Sequence, residues 1–247
     1  MLSPDDKKRY ARQLIMPEIS EAGQEKIRKA RILIAGIGGL GSISAYYMTA
    51  LGVGGIRMVD NDRVDLTNLN RQIMHNTQDI GQPKTLSAED KLSRLNPESD
   101  IEAVHAVITA DNAAALANGC DLILDATDNL AARRALNRAS VTLGIPFIYG
   151  GINGFTGMVS TFYPGKTACF ECIFPNGPDT PEKPIGVIGP TAGMVSSLQC
   201  IEAVKIILGM DHGLLNKLLR IDGGKMTFKI TKLVRNDDCH VCNMERR

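Results

Sequence analysis

Residues 31–60 constrain the fold more than any other stretch. They read Arg-Ile-Leu-Ile-Ala-Gly-Ile-Gly-Gly-Leu-Gly, then a helix-like run, then Gly-Ile-Arg-Met-Val-Asp. The apolar run 32–35 suits a strand buried on both faces of a parallel sheet. Gly36, Gly38 and Gly41 follow in the G-x-G-x-x-G spacing that opens a phosphate-binding helix. Gly36 permits the tight turn, Gly38 lets backbone N–H groups approach a phosphate, and Gly41 lets the helix pack closely on the strand. Gly39 completes the candidate cradle, and the phosphate then sits at the positive end of a helix. Asp60, at the end of the second strand, is placed to accept hydrogen bonds from ribose hydroxyls. The stretch predicts a nucleotide site without choosing the nucleotide.

A chain of 247 residues buries a good core, so one α/β domain is expected. The net charge of +1 excludes a dominant role on nucleic acid or a membrane surface, either of which leaves a strongly basic footprint. No apolar run approaches the roughly 20 residues that span a bilayer, and the start of the chain lacks the apolar centre of a signal peptide. The protein is expected to be cytoplasmic, where six cysteines do not form a disulfide framework and their spacing carries the information.

Residues 1–29 are polar and helix-prone, broken at Pro17, with Arg9, Tyr10, Arg12, Gln13 and Leu14 as the distinctive cluster. On charge alone Arg9 and Arg12 read as a solvated basic face. A nucleotide-binding core is expected over 30–150, with helices at 39–51, 85–96, 110–119 and 130–143. Strands are expected to end at Asp60 and over 101–107, 121–126 and 145–149. The polar segment 62–72, containing Asp62, Asn68, Arg71 and Gln72, lies just past strand two, at the ligand edge of a doubly wound sheet. Arg71 and Lys84 are both placed to neutralise a polyphosphate as charge builds on a leaving pyrophosphate. Asp128, past strand four, faces the same crevice. It reads either as a magnesium ligand or as the cap of the helix behind it.

Beyond residue 150 the pattern changes. Residues 150–154 read as a glycine-rich turn, and 158–163 and 226–234 as strands that extend the sheet in antiparallel fashion, since no helical crossovers join them. Between them, 173–190 holds prolines at 175, 178, 181, 184 and 190, which predicts a crossover loop over the ligand edge. A helix is expected over 191–208.

Cys169-Phe-Glu-Cys172 and Cys239-His-Val-Cys242 are two C-x-x-C units about 66 residues apart. Together they predict a tetrahedral zinc site, structural because four protein ligands leave no position for water. It would clip the end of the chain onto the body of the domain. His240 is an alternative ligand. Cys120 and Cys200 read as small core hydrophobes.

The ordered set of motifs resembles the adenylyltransferases of the ubiquitin-activating superfamily, specifically the bacterial MoeB, ThiF and HesA group. Its carriers are Arg9-Tyr-Ala-Arg-Gln13, Gly36-Ile-Gly-Gly-Leu-Gly41, Asp60-Asn-Asp62, Asn68-Leu-Asn-Arg-Gln72, Gly81-Gln-Pro-Lys84, Asp125-Ala-Thr-Asp-Asn129 and both C-x-x-C pairs. The resemblance covers nearly the whole chain, 1–247, as a single domain. It implies a Rossmann-like, mostly parallel sheet extended by antiparallel C-terminal strands, with a structural Zn2+ site. It implies MgATP-dependent adenylylation of the C-terminal glycine of a ubiquitin-like sulfur carrier ending in Gly-Gly. It further implies that Asp60 holds the ribose, that Asn68, Arg71, Gln72 and Lys84 surround the phosphates, and that Asp128 binds Mg2+. Arg12 matches the family arginine that reaches the triphosphate from the other subunit of a homodimer.

One departure matters. Some relatives carry a cysteine in the crossover loop four residues before a Gly-Val pair. Gly186-Val187 here puts Glu182 at that position, and 174–190 contains no cysteine. Adenylylation without a covalent enzyme–carrier linkage is therefore expected, with sulfur from a separate donor protein, since the chain has no room for an appended sulfurtransferase domain. An NAD-dependent oxidoreductase would share the 36–60 stretch but leave Arg71, Lys84, Asp128 and the cysteine pairs without roles. A non-catalytic carrier-binding scaffold would have no need to keep Arg12, Arg71, Lys84 and Asp128 together.

Overall fold

A computed structural model of the chain describes residues 1–175, 186–211 and 213–243. Ten residues of the predicted crossover loop, including the Glu182 position, lie outside the described residues. Three short helices, α1 (Pro4–Arg9), α2 (Ala11–Leu14) and α3 (Ser20–Lys29), precede β1 (Arg31–Ala35). Then come α4 (Gly39–Leu51), β2 (Gly55–Asp60), α5 (Lys84–Leu95), β3 (Asp100–His105), α6 (Ala113–Ala117), β4 (Leu122–Asp125), α7 (Leu130–Leu143) and β5 (Phe147–Asn153). The second half adds β6 (Thr156–Phe162), α8 (Phe170–Ile173), α9 (Gly189–Leu208), β7 (Lys217–Asp222) and β8 (Thr227–Lys232).

All described strands form one sheet in the order β3-β2-β1-β4-β5-β6-β7-β8. The first five are parallel and the last three antiparallel, as the resemblance implied. Alternation along β1 sends Ile32 and Ile34 to one face and Leu33 and Ala35 to the other. Ile32 and Ile34 pack with Ile27 of α3, Met48 of α4, Leu92 of α5 and Ala203 of α9. Leu33 and Ala35 pack with Ala117 of α6, Leu136 of α7 and Phe170 of α8. Helices on both faces explain why the strand is apolar without a break.

Two expectations are corrected, and one strand is added. Residues 150–153 are strand, not turn: β5 continues to Asn153, and the reversal is confined to Gly154 and Phe155. Gly150 is needed there because a Cβ would lie 2.5 Å from the Gln199 side chain, so the glycines mark a close approach. The segment 217–222 is β7, which the doublet Leu218-Leu219 concealed by breaking alternation. Gly223-Gly224 between β7 and β8 is the hairpin signal that would have exposed it. The long helix begins at Gly189 with Pro190 in its first turn, where the missing N–H costs nothing. That helix is also long and apolar enough, by length and composition, to cross a membrane. Here it is a core element, with Ala192, Val195 and Ala203 wholly buried against the sheet.

Gly41 supplies the sharpest packing constraint. A Cβ on it would lie 1.8 Å from the Gly36 carbonyl oxygen. Helix propensity alone predicts that Gly41→Ala stabilises by up to about 1 kcal/mol. The contact predicts the opposite, a loss of about 2 kcal/mol or more in urea denaturation. A variant as stable as the wild type contradicts the packing described.

Candidate functional site

Strand order reverses between β1 and β4, so their carboxyl ends diverge and open a crevice. The cleft there measures about 1420 Å³ and brings together Gly36, Gly38, Gly39, Asp60, Asp62, Arg71, Gln72, Lys84 and Asp128. Gly36 adopts φ 92°, and a Cβ on it would lie 2.6 Å from the Ala126 carbonyl oxygen of the β4 loop. The N-terminus of α4 has no side-chain cap, so its first N–H groups remain for an anion.

Asp60 braces this turn. Its Oδ2 accepts the Ile37 N–H at 2.6 Å and its Oδ1 the Asp62 N–H at 2.8 Å. Burial pushes the Asp60 carboxyl above the ordinary range, while the Ile37 N–H and the Lys84 charge pull it back. Each oxygen keeps a lone pair for a ribose hydroxyl.

The cationic wall comes from the segment after β2. Lys84 opens α5, is buried, and places its Nζ 2.7 Å from Asp62. Arg71 Nη1 donates to the Thr67 carbonyl at 2.8 Å and to Asn70 Oδ1 at 3.1 Å. Gln72 is buried beside Gly38, and its Oε1 has no partner among the described residues. Asn68 does not line the cleft; its Oδ1 accepts the Asp65 N–H at 3.3 Å and closes the turn from which Arg71 projects.

At the end of β4 the two readings of Asp128 separate. Asn129 caps α7, its Oδ1 accepting the Ala132 N–H at 2.8 Å. Asp128 is free of that duty and exposes its carboxylate in the cleft, hydrogen-bonded among the described residues only to Asn129 Nδ2 at 3.4 Å. Beneath it Asp125 is fully buried, accepts the Thr127 hydroxyl at 2.6 Å and pairs with Arg133 Nε at 3.0 Å. Arg133 also donates to the Thr127 and Gly150 carbonyls and lies 5.1 Å over the Tyr149 ring. The motif containing Asp125 was visible in the sequence, but its partner in the first turn of α7 was not.

Sequence reasoning also missed the floor of the cleft, where Asn153, Met158, Arg220, Asp222 and Lys229 extend it across β5 to β8. Strand alternation in a recognised β7 would have found Arg220, which is register-paired with Lys229. A buried imidazole, His75, was missed as well. Its Nε2 lies 3.2 Å from the Ile37 carbonyl oxygen and its Nδ1 2.9 Å from Ser87 Oγ.

Arg12 lies outside the cleft, exposed on α2. Outside the cleft, the Sγ atoms of Cys169, Cys172, Cys239 and Cys242 lie within 4.8 Å of one another and form no disulfide. Their closest separations are 3.5, 3.6 and 3.8 Å. Four thiolates about 2.3 Å from one ion stand about 3.8 Å apart, so the cluster fits a tetrahedral metal. The cluster comprises the four cysteines without His240. Cys200 is buried and its thiol is pushed up to about 12, which makes it a core thiol and not a nucleophile.

The family model described as ThiF family matches residues 10–241. A sulfur carrier protein adenylyltransferase of Thermus thermophilus is 37% identical over 246 residues, which cover 96% of this chain and 91% of that protein. The adenylyltransferase and sulfurtransferase MOCS3 of Culex quinquefasciatus is 39% identical over 241 residues, or 95% of this chain. The match takes in 55% of that protein, so this chain spans about half its length. A crystal structure of E. coli MccB with MccA-N7isoASN shares the fold at a TM-score of 0.85 and 21% identity, covering 98% of this chain and 75% of that one.

Proposed function

Because the chain belongs to the ThiF family and is an adenylyltransferase, we propose that it binds MgATP in the cleft and adenylylates a small ubiquitin-like sulfur-carrier protein. The acceptor is the carboxylate of a C-terminal Gly-Gly. The observation that carries this is the convergence of the glycine turn, Asp60, Arg71, Lys84 and Asp128 on one cleft. Residues 1–247 act as one domain in the cytoplasm, in keeping with cysteines that form no disulfide.

The α4 N-terminus and Gly38 receive phosphate, and Asp60 holds the ribose. Arg71 and Lys84 neutralise the triphosphate, with Gln72 beside them and Lys84 exchanging Asp62 for a phosphate oxygen. Asp128 fits a magnesium ligand, since its carboxylate is open to the cleft and unspent on capping. Mg2+ supplies further charge neutralisation on the phosphate oxygens when bound. The carrier tail follows the floor past Asn153, Arg220 and Lys229. Its carboxylate oxygen bonds to the α-phosphorus while the bond to the β-phosphate oxygen breaks and pyrophosphate leaves. Such a displacement needs positioning and charge neutralisation more than an acid or base. With no cysteine in 174–190 and Cys200 buried, no thioester forms, and a separate protein donates sulfur.

A homodimer completes the site. Arg12 stands outside its own cleft with Ile15, 72% exposed, and Met16 beside it, a surface suited to a second copy whose triphosphate Arg12 reaches. The four-cysteine cluster holds Zn2+ structurally and ties the 239–242 knuckle to α8.

ATP–pyrophosphate exchange that depends on a Gly-Gly carrier tests the reaction. Asp128→Ala is expected to lower it at least about 100-fold, the scale of losing one element of charge stabilisation. Full exchange by this variant, or none by the wild type with any such carrier, contradicts the proposal. Mixing Arg12→Ala with Asp128→Ala chains should restore roughly a quarter of wild-type exchange, because half the dimers then hold one intact site. No restoration argues against the shared site. Metal analysis should find about one zinc per chain, and Cys172→Ser should lose it and melt at lower temperature. A stable, zinc-free wild type contradicts that assignment.

A further inference from the structure

The Ile37 peptide groups are held from two sides, and only one side was apparent in the sequence. Asp60 takes the Ile37 N–H. The Ile37 carbonyl oxygen lies 3.2 Å from His75 Nε2 and, at a longer 3.5 Å, from Ser42 Oγ. A carbonyl only accepts, so His75 must carry its proton on Nε2 for this contact to bond.

The neighbours of His75 fit that tautomer. Its Nδ1 lies 2.9 Å from Ser87 Oγ. Ser87 Oγ in turn lies 2.8 Å from Lys91 Nζ, and Lys91 is ion-paired with Asp79. The ammonium has only protons to give, so the Ser87 oxygen accepts from it; the Ser87 hydrogen then has Asp79 and Nδ1 as acceptors, and the Ile37 carbonyl, which must receive the Nε2 proton, selects Nδ1. Nδ1 is then an acceptor and Nε2 the donor. The charged groups facing the ring are Lys91, Lys84 and Asp79; burial pushes the imidazole below its ordinary range and keeps it neutral.

The consequence lies one bond away. The Ile37 carbonyl and the Gly38 N–H belong to one planar trans peptide and point in opposite directions. Holding the carbonyl inward on His75 therefore aims the Gly38 N–H the other way, and Gly38 lines the cleft. Apart from His75 and the longer Ser42 contact, nothing among the described residues resists a flip of this peptide, because glycine tolerates the φ values that the flip requires. A flipped peptide would present a carbonyl oxygen to a phosphate in place of a donor.

We propose that His75 is a positioning residue of the nucleotide site, locking the Ile37–Gly38 peptide so that the Gly38 N–H serves a phosphate, with its tautomer set by Lys91 through Ser87. The proposal rests on the reading of the cleft as an ATP site. It concerns phosphate recognition alone, which separates it from a general effect on folding.

Calorimetric titration of the full-length chain with MgATP and with adenosine tests it. His75→Leu should weaken MgATP binding roughly tenfold or more, the scale of one buried hydrogen bond plus a lost phosphate donor, and leave adenosine affinity unchanged. Lys91→Met, which touches neither the turn nor the cleft, should weaken MgATP in the same direction by about threefold, the scale of a neutral hydrogen bond. His75→Gln, which can return an N–H to the carbonyl, should keep affinity within about threefold of the wild type. If His75→Leu does not fold, the Lys91→Met and His75→Gln pair decides the matter. MgATP affinity equal to wild type in His75→Leu or Lys91→Met overturns the proposal, as does an equal loss of adenosine and MgATP binding. A wild-type chain that binds no MgATP fails differently: it removes the nucleotide site itself, and the positioning role with it.

Discussion

The site depends on one close contact, the meeting of the β1 loop with the β4 loop at Gly36 and Ala126. No side chain fits between them at Gly36, and none fits at Gly41, where α4 presses on the same turn. The absence of two Cβ atoms lets a helix N-terminus stand in the crevice that the reversal of strand order opens. Hydrophobic layers on both faces of the sheet hold β1 and β4 rigid, so the turn inherits its precision from the core. Asp60 and His75 then fix the N–H and C=O groups of Ile37 within that frame.

Around this centre, on the reading proposed above, the charges are arranged to be exchanged. Lys84 is buried but bonded to an Asp62 that is 61% exposed, so a phosphate competes for the ammonium against a partner already in water. Arg71 is held by a backbone carbonyl and an amide oxygen, neither of which neutralises it. Among the described residues Asp128 bonds only to the neutral Asn129 amide, which leaves its exposed carboxylate open to the cleft. Asp125 and Arg133 differ: Asp125 is fully buried and pairs with a half-buried Arg133 that lines the cleft, and together they brace the β4 loop from below. Breaking such a pair leaves a buried carboxylate unpaired and costs far more than breaking an exposed bridge, so the pair supports the loop.

What the sequence made legible follows from how local each signal is. The glycine spacing, the acidic strand end and the two C-x-x-C units are contiguous motifs, and the first two meet in one cleft while the cysteines meet in a cluster. Gly150 and Gly151 misled because a glycine pair ordinarily marks a turn. Their true cause, the side chains of Gln199 and Tyr149 filling the space, lies partly 49 residues away. β7 was hidden because Leu218 and Leu219 face opposite sides of the sheet and both are buried, which erases the alternation that betrays a strand. The roles of His75 and Arg133 were illegible for a related reason. Each acts on a backbone carbonyl, and a carbonyl has no signature in the sequence.

The central claim is that the glycine turn belongs to a triphosphate site and not to a dinucleotide site. Titrating the wild-type chain separately with MgATP and with NAD, and then each in the presence of the other, tests it directly. MgATP is expected to bind only with the divalent ion, to bind more weakly when Asp128 is replaced by alanine, and not to be displaced by equimolar NAD. Tight, metal-independent binding of NAD that excludes MgATP would contradict it.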